Sequence, residues 1–353
     1  MKFCLIVGTR PQIVKSQPII KEILARRSKL VIIHTGQHYD YQMSQIFFEE
    51  LKIRDPDFNL GVPPTTSPNQ LAQIITKLEK PLKNMFPDMV LVPGDTRSAL
   101  GAALCANRLG LRVAHIEAGA RSMEFEMEEE INRRIIDHCS NILFAPTPNC
   151  YRNLKKESVL GTAYFTGDTM YDVFLEFKKM LNLRKHDKNR SVLMTIHRRE
   201  NIETRQKMKK ILDLAKKISS KGWEVIFPIH PHTKKQIKSF GISLSGINTI
   251  EPVKYSKMLQ LLSDANLLVT DSGGLQKEAY WLNTPCVTLR KSTEWVETLD
   301  GRHNILLNKI TDSSIRLIMR ILSRGRIKEG KGQHGFGNGK ASKKIVSLLL
   351  KQA

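Results

Sequence analysis

Three kinds of side chain recur just behind short apolar runs, and together they describe proton transfer next to a phosphorylated leaving group. Carboxylates come first: Asp95 in GDTRSALGAAL, Glu117 in HIEAGARS, and Glu128, Glu129 and Glu130 in EEEINRR. A charge directly behind a buried strand is costly without a partner. Carboxylates crowded into one cleft push some of their pKa values upward, which makes them proton donors and acceptors near neutral pH. Imidazole follows in TIHRREN, where His197 precedes Arg198 and Arg199. Histidine is the side chain best suited to protonating or neutralising a departing diphosphate. Arg10 and Lys15 in GTRPQIVK add cations. Each has a plainer reading: Asp95 as a helix cap, some of Glu128–Glu130 as first-turn acids, Lys15 as a surface lysine.

The stretch VTDSGGLQKEA, residues 269–279, supplies an anion site. An apolar run ends and a helix begins at once, and a helix start carries unpaired N–H groups and partial positive charge. Ser272 can cap that helix, and Gly273 and Gly274 allow close approach of a ligand to the backbone. Glu278 lies a turn further in and suits a ribose diol, accepting one hydrogen bond from each hydroxyl. The plainer reading is a capped helix with a dipole-complementing acid.

Other chemistries lack their signatures. IHPH gives His230 and His232, but no further His, Cys or Asp constellation supports a metal. There is no nucleophile elbow and no phosphate loop of the Walker type. The five cysteines, Cys4, Cys105, Cys139, Cys150 and Cys286, form no C-x-x-C pair and read as reduced thiols of a cytoplasmic protein. The N-terminal FCLIV run is too short for a signal-peptide core and reads as a strand. A net charge of +22 is compatible with nucleic acid, an anionic surface or acidic ligands. The basic residues are spread along the chain, densest in RGRIKEGKGQ and KASKK, and no nucleic-acid motif accompanies them. Specific nucleic-acid binding is therefore not expected; weak contact with an anionic surface is compatible with the charge.

The elements that must position these groups alternate. Six apolar runs (FCLIVG, VIIHTG, MVLVPGD, RVAHIEAG, NILFAP, AYFTGD) precede six more (SVLMTIH, WEVIFPIH, INTIEPV, NLLVTDSGG, TPCVTLR, NILL), with amphipathic stretches such as TRQKMKKILDLAKKISSKG and SKMLQLLSDA between them. This predicts an α/β protein of two doubly wound, Rossmann-like domains. The expected domains are 1–177 and 178–339, with the basic segment 178–190 as linker and a helix over about 340–353 packing back on the first domain. Gly8-Thr9-Arg10, Gln37-His38, Gly94-Asp95, Glu117, His197, His230 and Ser272 all follow strands. Ligands in open α/β sheets bind at carboxyl strand ends, so the site is expected in a cleft between the domains.

Eleven motifs in order, GTRPQIVK, TGQHYDYQM, PGDT, HIEAGARS, EEINR, APT, TIHRREN, IHP, TDSGGLQKEA, RKSTEWVE and GFGNGKAS, run from residue 8 to residue 342. Together they resemble the non-hydrolysing UDP-N-acetylglucosamine 2-epimerase family. The resemblance implies a two-domain fold like that of type B glycosyltransferases, a homodimer, and a reaction without metal or redox cofactor. UDP would be eliminated across carbons 1 and 2 to leave 2-acetamidoglucal, then re-added to give UDP-N-acetylmannosamine. Asp95, Glu117 and Glu129 match the family's acid/base carboxylates and His197 its catalytic histidine. Arg10 and Lys15 match phosphate-side contacts, Ser272, Gly273 and Gly274 the diphosphate loop, and Glu278 the ribose-binding acid. Val253 and Met258 fall where the family contacts uracil.

The chain departs from that pattern in places. Gln12 stands where the family usually has Glu, and Glu128 replaces a Pro. Met258 replaces an aromatic, and Glu294-Trp295 stands where some members have Glu-Arg. VPPTTSPNQLAQ departs from a Gly-rich, His-containing loop. These differences touch the sugar's identity, so a hydrolysing 2-epimerase, a 2-epimerase of a UDP-2,3-diacetamido-uronate and a type B glycosyltransferase stand as alternatives.

Overall fold

The computed structural model describes residues 1–36, 49–183, 190–325 and 333–352. The chain forms two compact units, one of residues 1–177 with 334–353, the other of residues 178–333.

In the first unit the strands are β1 (Lys2–Val7), β2 (Lys29–His34), β3 (Phe58–Asn59), β4 (Met89–Pro93), β5 (Val113–Ile116), β6 (Ile142–Ala145) and β7 (Thr162–Phe165). They make one parallel sheet in the order β3-β2-β1-β4-β5-β6-β7. The apolar runs form strands because both faces are covered, so β4 and β5 are buried at every position. Cys4 and Ile6 of β1 and Val90 and Val92 of β4 meet Ile74, Leu78 and Leu82 from helix Ser67–Met85 and the alanines of helix Arg97–Arg108. Those two helices pack closely: a Cβ on Gly101 would lie 2.6 Å from Ile74 Cγ2. The two-residue edge strand β3 is absent from the sequence-based expectation because Phe58-Asn59 has no apolar run to announce it.

The second unit repeats the plan with β8 (Ser191–Thr195), β9 (Glu224–Pro228), β10 (Asn248–Ile250), β11 (Leu267–Thr270), β12 (Cys286–Thr288) and β13 (Asn304–Leu306), ordered β10-β9-β8-β11-β12-β13. Val192, Met194, Val225, Phe227, Leu267 and Val269 pack with Met208, Ile211, Leu212 and Ala215 of helix Arg205–Ser219. The expected linker starts too early, since helix Thr169–Met180 runs into it; residues 184–189 lie outside the described residues. The last helix, Ala341–Leu350, belongs to the first unit. Asp172 holds its start by accepting from the Ala341 and Ser342 amides and from Ser342 Oγ.

Strand order reverses once in each sheet, between β1 and β4 and between β8 and β11. The chain leaves these neighbours in opposite directions, which opens a crevice at their carboxyl ends. A buried polar network braces the first of these. His115 on β5 sets Nδ1 2.6 Å from Asp137 Oδ1 and Nε2 2.8 Å from the Gly94 carbonyl. Asp137 Oδ2 accepts from Arg121 and from the Gly119 amide, and Arg121 also donates to both oxygens of Glu157. Burial alone would raise the Asp137 carboxyl, but the charges and hydrogen bonds of His115 and Arg121 pull it below the usual aspartate value.

Removing one member of a fully buried pair leaves the others uncompensated, so Asp137→Ala should destabilise the first unit by about 3–5 kcal/mol. A urea midpoint for this variant equal to wild type would show that the network carries no stability. Because the native pKa is depressed, this stabilisation is complete above the unfolded value of about 3.9 and is lost as pH falls through the native one. The gap between variant and wild type should therefore narrow in strong acid.

Candidate active site

Four of the expected residues gather at the reversal between β1 and β4. Arg10 opens helix Arg10–Ala25 directly behind β1, and Lys15 lies on its second turn. Lys15 Nζ is 2.6 Å from Glu117 Oε1, with the two side chains 9% and 11% exposed. Glu117, just behind β5, has φ +73°, a left-handed conformation that costs a non-glycine residue on the order of 1–3 kcal/mol. Gly94, behind β4, has φ +72°, and a Cβ there would come within 3.0 Å of Lys15 Nζ. Thus the ammonium sits over the turn that carries Asp95.

Asp95 does not cap the following helix. Thr96 does so, accepting from the Ala99 amide. Asp95 Oδ2 instead lies 2.6 Å from Arg133 Nη2 and accepts from Arg133 Nε at 2.8 Å, while Asn132 Nδ2 donates to the Asp95 carbonyl. The three glutamates that open helix Glu128–Cys139 separate into different roles. Glu128 takes two hydrogen bonds from Arg97 and one from Ser67. Glu130 is buried and accepts from the amide and hydroxyl of Ser122. Glu129 is half-buried and makes no side-chain hydrogen bond among the described residues. Crowding of carboxylates is therefore not the governing feature: Asp95, Glu117 and Glu128 are each matched to their own cation.

The reversal in the second unit carries the histidine. Thr195 and Thr270 are register partners on β8 and β11, and their hydroxyls meet at 2.6 Å. This places the two following loops side by side across 74 residues of sequence. His197 Nδ1 lies 3.0 Å from Asp271 Oδ1; His197 is half-exposed and Asp271 is fully buried. Asp271 also accepts from the His197 and Arg198 amides and from Asn201 Nδ2. Burial would raise its carboxyl, yet His197, Asn201 and the Arg198 amide hold it below the ordinary value. A carboxylate on Nδ1 fixes the orientation of the imidazole ring.

Directly after Asp271, Ser272 caps helix Gly273–Trp281 by accepting from the Leu275 amide. The two glycines differ. A Cβ on Gly273 would lie 2.5 Å from Glu294 Oε1 and 3.3 Å from Trp295 Nε1, so this glycine serves internal packing rather than ligand approach. Gly274 faces open space. Glu278 is buried on the same helix. Trp295, at the departure Glu294-Trp295, stacks on Lys277 at 3.9 Å, and Glu294 pairs with the buried Arg290 at 2.7 Å. Val253 lies between β10 and helix Tyr255–Asp264, and Met258 on that helix; both are half-buried. His230 caps helix Pro231–Ser239 through Nδ1, and among the described residues no group of three or more His, Cys, Asp or Glu is placed to hold a metal. Gln37 and His38 lie outside the described residues.

Asp271, Arg133, His115, Asp137 and Arg121 escaped the reading of the sequence. One signal was available for Asp271: an acid directly behind an apolar strand, the same cost that singled out Glu117. The others emerge only from strand register and helix packing.

Comparison with known proteins finds relatives that match along nearly the whole chain. The family model for UDP-N-acetylglucosamine 2-epimerase matches residues 21–350. A Methanococcus maripaludis protein named a UDP-N-acetylglucosamine 2-epimerase homolog is 39% identical over 99% of each chain. A Pseudomonas aeruginosa protein named UDP-2,3-diacetamido-2,3-dideoxy-D-glucuronate 2-epimerase is 37% identical, covering 99% of this chain and 100% of its own. The crystal structure of Methanocaldococcus jannaschii UDP-GlcNAc 2-epimerase with UDP-GlcNAc and UDP superposes with a TM-score of 0.92 at 38% identity, over 99% of this chain and 100% of that one. The strand-end motifs, the doubly wound units and a match along nearly the whole length place this chain in the UDP-N-acetylglucosamine 2-epimerase family.

Proposed function

We propose that the protein interconverts UDP-N-acetylglucosamine and UDP-N-acetylmannosamine without hydrolysis. The observation that supports this reading is a half-exposed histidine, oriented by a buried aspartate that directly precedes a capped helix start suited to a diphosphate. Expelling UDP from a sugar needs that pairing. In the forward step a carboxylate removes the proton from carbon 2, the electron pair forms the carbon 1–carbon 2 double bond, and the bond from carbon 1 to the diphosphate oxygen breaks. His197 offsets the charge on the departing diphosphate. The proton then returns to the opposite face of carbon 2 and UDP re-adds at carbon 1. Asp95, Glu117 and Glu129 are the carboxylates assigned to this proton traffic, with Lys15 fixing Glu117. Arg10, Ser272, Gly273 and Gly274 are assigned to the diphosphate side, Gly273 by letting the helix start pack tightly. Glu278 is assigned to the ribose, and Val253 and Met258 to the base.

The name of the Pseudomonas relative keeps a second sugar in play. Incubation with UDP-N-acetylglucosamine and, separately, with a UDP-2,3-diacetamido-uronate, followed by NMR of products, decides between them. Release of free N-acetylmannosamine with UDP would replace the non-hydrolysing reading by the hydrolysing one.

In deuterium oxide the enzyme should place deuterium at carbon 2 of product and of recovered substrate. Interconversion with full retention of that proton, read by proton NMR, would remove the roles given to Asp95, Glu117 and Glu129. Asp271→Asn should lower turnover about 10²- to 10⁴-fold by freeing the imidazole from its orientation. Unaltered turnover in that variant would end the case for an oriented histidine. Glu278→Ala should weaken UDP binding by about 1.5–3 kcal/mol; equal UDP affinities by calorimetry for variant and wild type would rule out the ribose role.

A further inference from the structure

At the end of β4 three consecutive backbone carbonyls each meet a side-chain nitrogen from a different element. Gln12 Nε2 donates to Pro93 O at 2.8 Å, His115 Nε2 lies 2.8 Å from Gly94 O, and Asn132 Nδ2 donates to Asp95 O at 2.8 Å. Gln12 is the member that spans the strand-order reversal. It is 1% exposed, and its Oε1 accepts from the Gly8 and Thr9 amides at 2.9 and 3.1 Å. A capping box at the start of helix Arg10–Ala25 accounts for the accepting end. It does not account for the donating end, which reaches the last residue of β4, 81 residues away. The two ends demand opposite polarity, which an amide offers at every pH. An ionised carboxylate offers only acceptors and would set oxygen against oxygen at Pro93.

We propose that Gln12 is a positioning residue for the reaction. Its neutral amide ties the Gly8–Arg10 loop to the Pro93–Asp95 turn, so that Arg10 and Asp95 are presented together and independently of pH. This rests on the epimerase reading above. It also gives the departure from the family's usual Glu a physical content: in this chain the donor toward Pro93 never ionises.

The test is Gln12→Glu, which keeps shape and the accepting end but retains the donor only while the introduced carboxyl is protonated. The charged groups around this junction are Arg10 and Lys15 from the same helix, Glu117 from the loop after β5, and Asp95 with its partner Arg133. All are present in both proteins, so the variant-to-wild-type ratio isolates the new group. Turnover, KM for UDP-N-acetylglucosamine and melting temperature are measured for both from about pH 5 to about pH 9, a range above the ordinary glutamate pKa. The kcat ratio should fall about 10- to 100-fold as pH rises, the scale expected for misplacing a reacting group, with KM little changed. A carboxyl kept protonated by the fold has a raised native pKa. Its stabilisation is complete below the unfolded value of about 4.3 and is lost as pH rises through the native one, so the melting deficit should widen in the same direction. Gln12→Leu should lose turnover by a factor that does not change with pH. A flat kcat ratio alongside a widening melting deficit would make the contact merely structural and overturn the proposal. Flatness in both would overturn the contact too. A wild type inert toward UDP-sugars would instead bring down the epimerase reading and the positioning role with it, while the melting measurement alone would still decide the contact.

Discussion

The reversal of strand order in each parallel sheet is the constraint on which the rest depends. Where the chain departs to opposite sides from two adjacent strands, no connection crosses between their carboxyl ends. Polar side chains tie the flanking segments together there. Gln12 to Pro93 does so between β1 and β4, and the Thr195–Thr270 and His197–Asp271 contacts do so between β8 and β11. Of these side chains Gln12, Thr195, Thr270 and Asp271 are buried, and His197 is the one exposed at the strand ends.

Charge is managed pair by pair in these places. Asp95 has Arg133, Glu117 has Lys15, Glu128 has Arg97, and Asp137 has Arg121 together with His115. The most buried of them, Lys15 with Glu117 and Asp137 with Arg121 and His115, are sustained by partners and hydrogen bonds rather than by water. The result is a set of carboxylates fixed in place, one of them on a strained left-handed backbone. Under the proposed reaction, fixed groups of this kind would need no rearrangement when charge develops on the sugar.

The departures from the family pattern acquire local explanations. Glu128, where the family has Pro, is gripped by two nitrogens of Arg97. Trp295 fills the space beside Gly273 and lies over Lys277, and the neighbouring Arg290 is paired with Glu294. The segment VPPTTSPNQLAQ runs into helix Ser67–Met85, where Ser67 donates to Glu128 and Gln70 accepts from Arg97.

Much of this was visible in the sequence. The twelve apolar runs all became strands, because parallel strands buried on both faces must be apolar almost throughout. The capped glycine-rich helix start at Ser272 and the histidine behind β8 were local signals, read from neighbours in the chain. The edge strand β3 was not visible, since two half-polar residues carry no periodicity. Nor were the partners: Asp271 for His197, Arg133 for Asp95, Lys15 for Glu117. Residue types and strand ends are decided by short-range composition, so the sequence alone determined which groups stand at the carboxyl edges of the sheets. Which carboxylate meets which cation, and that Gln12 bridges β1 and β4, were decided only by strand register and helix packing, because those contacts join positions from 16 to 102 residues apart.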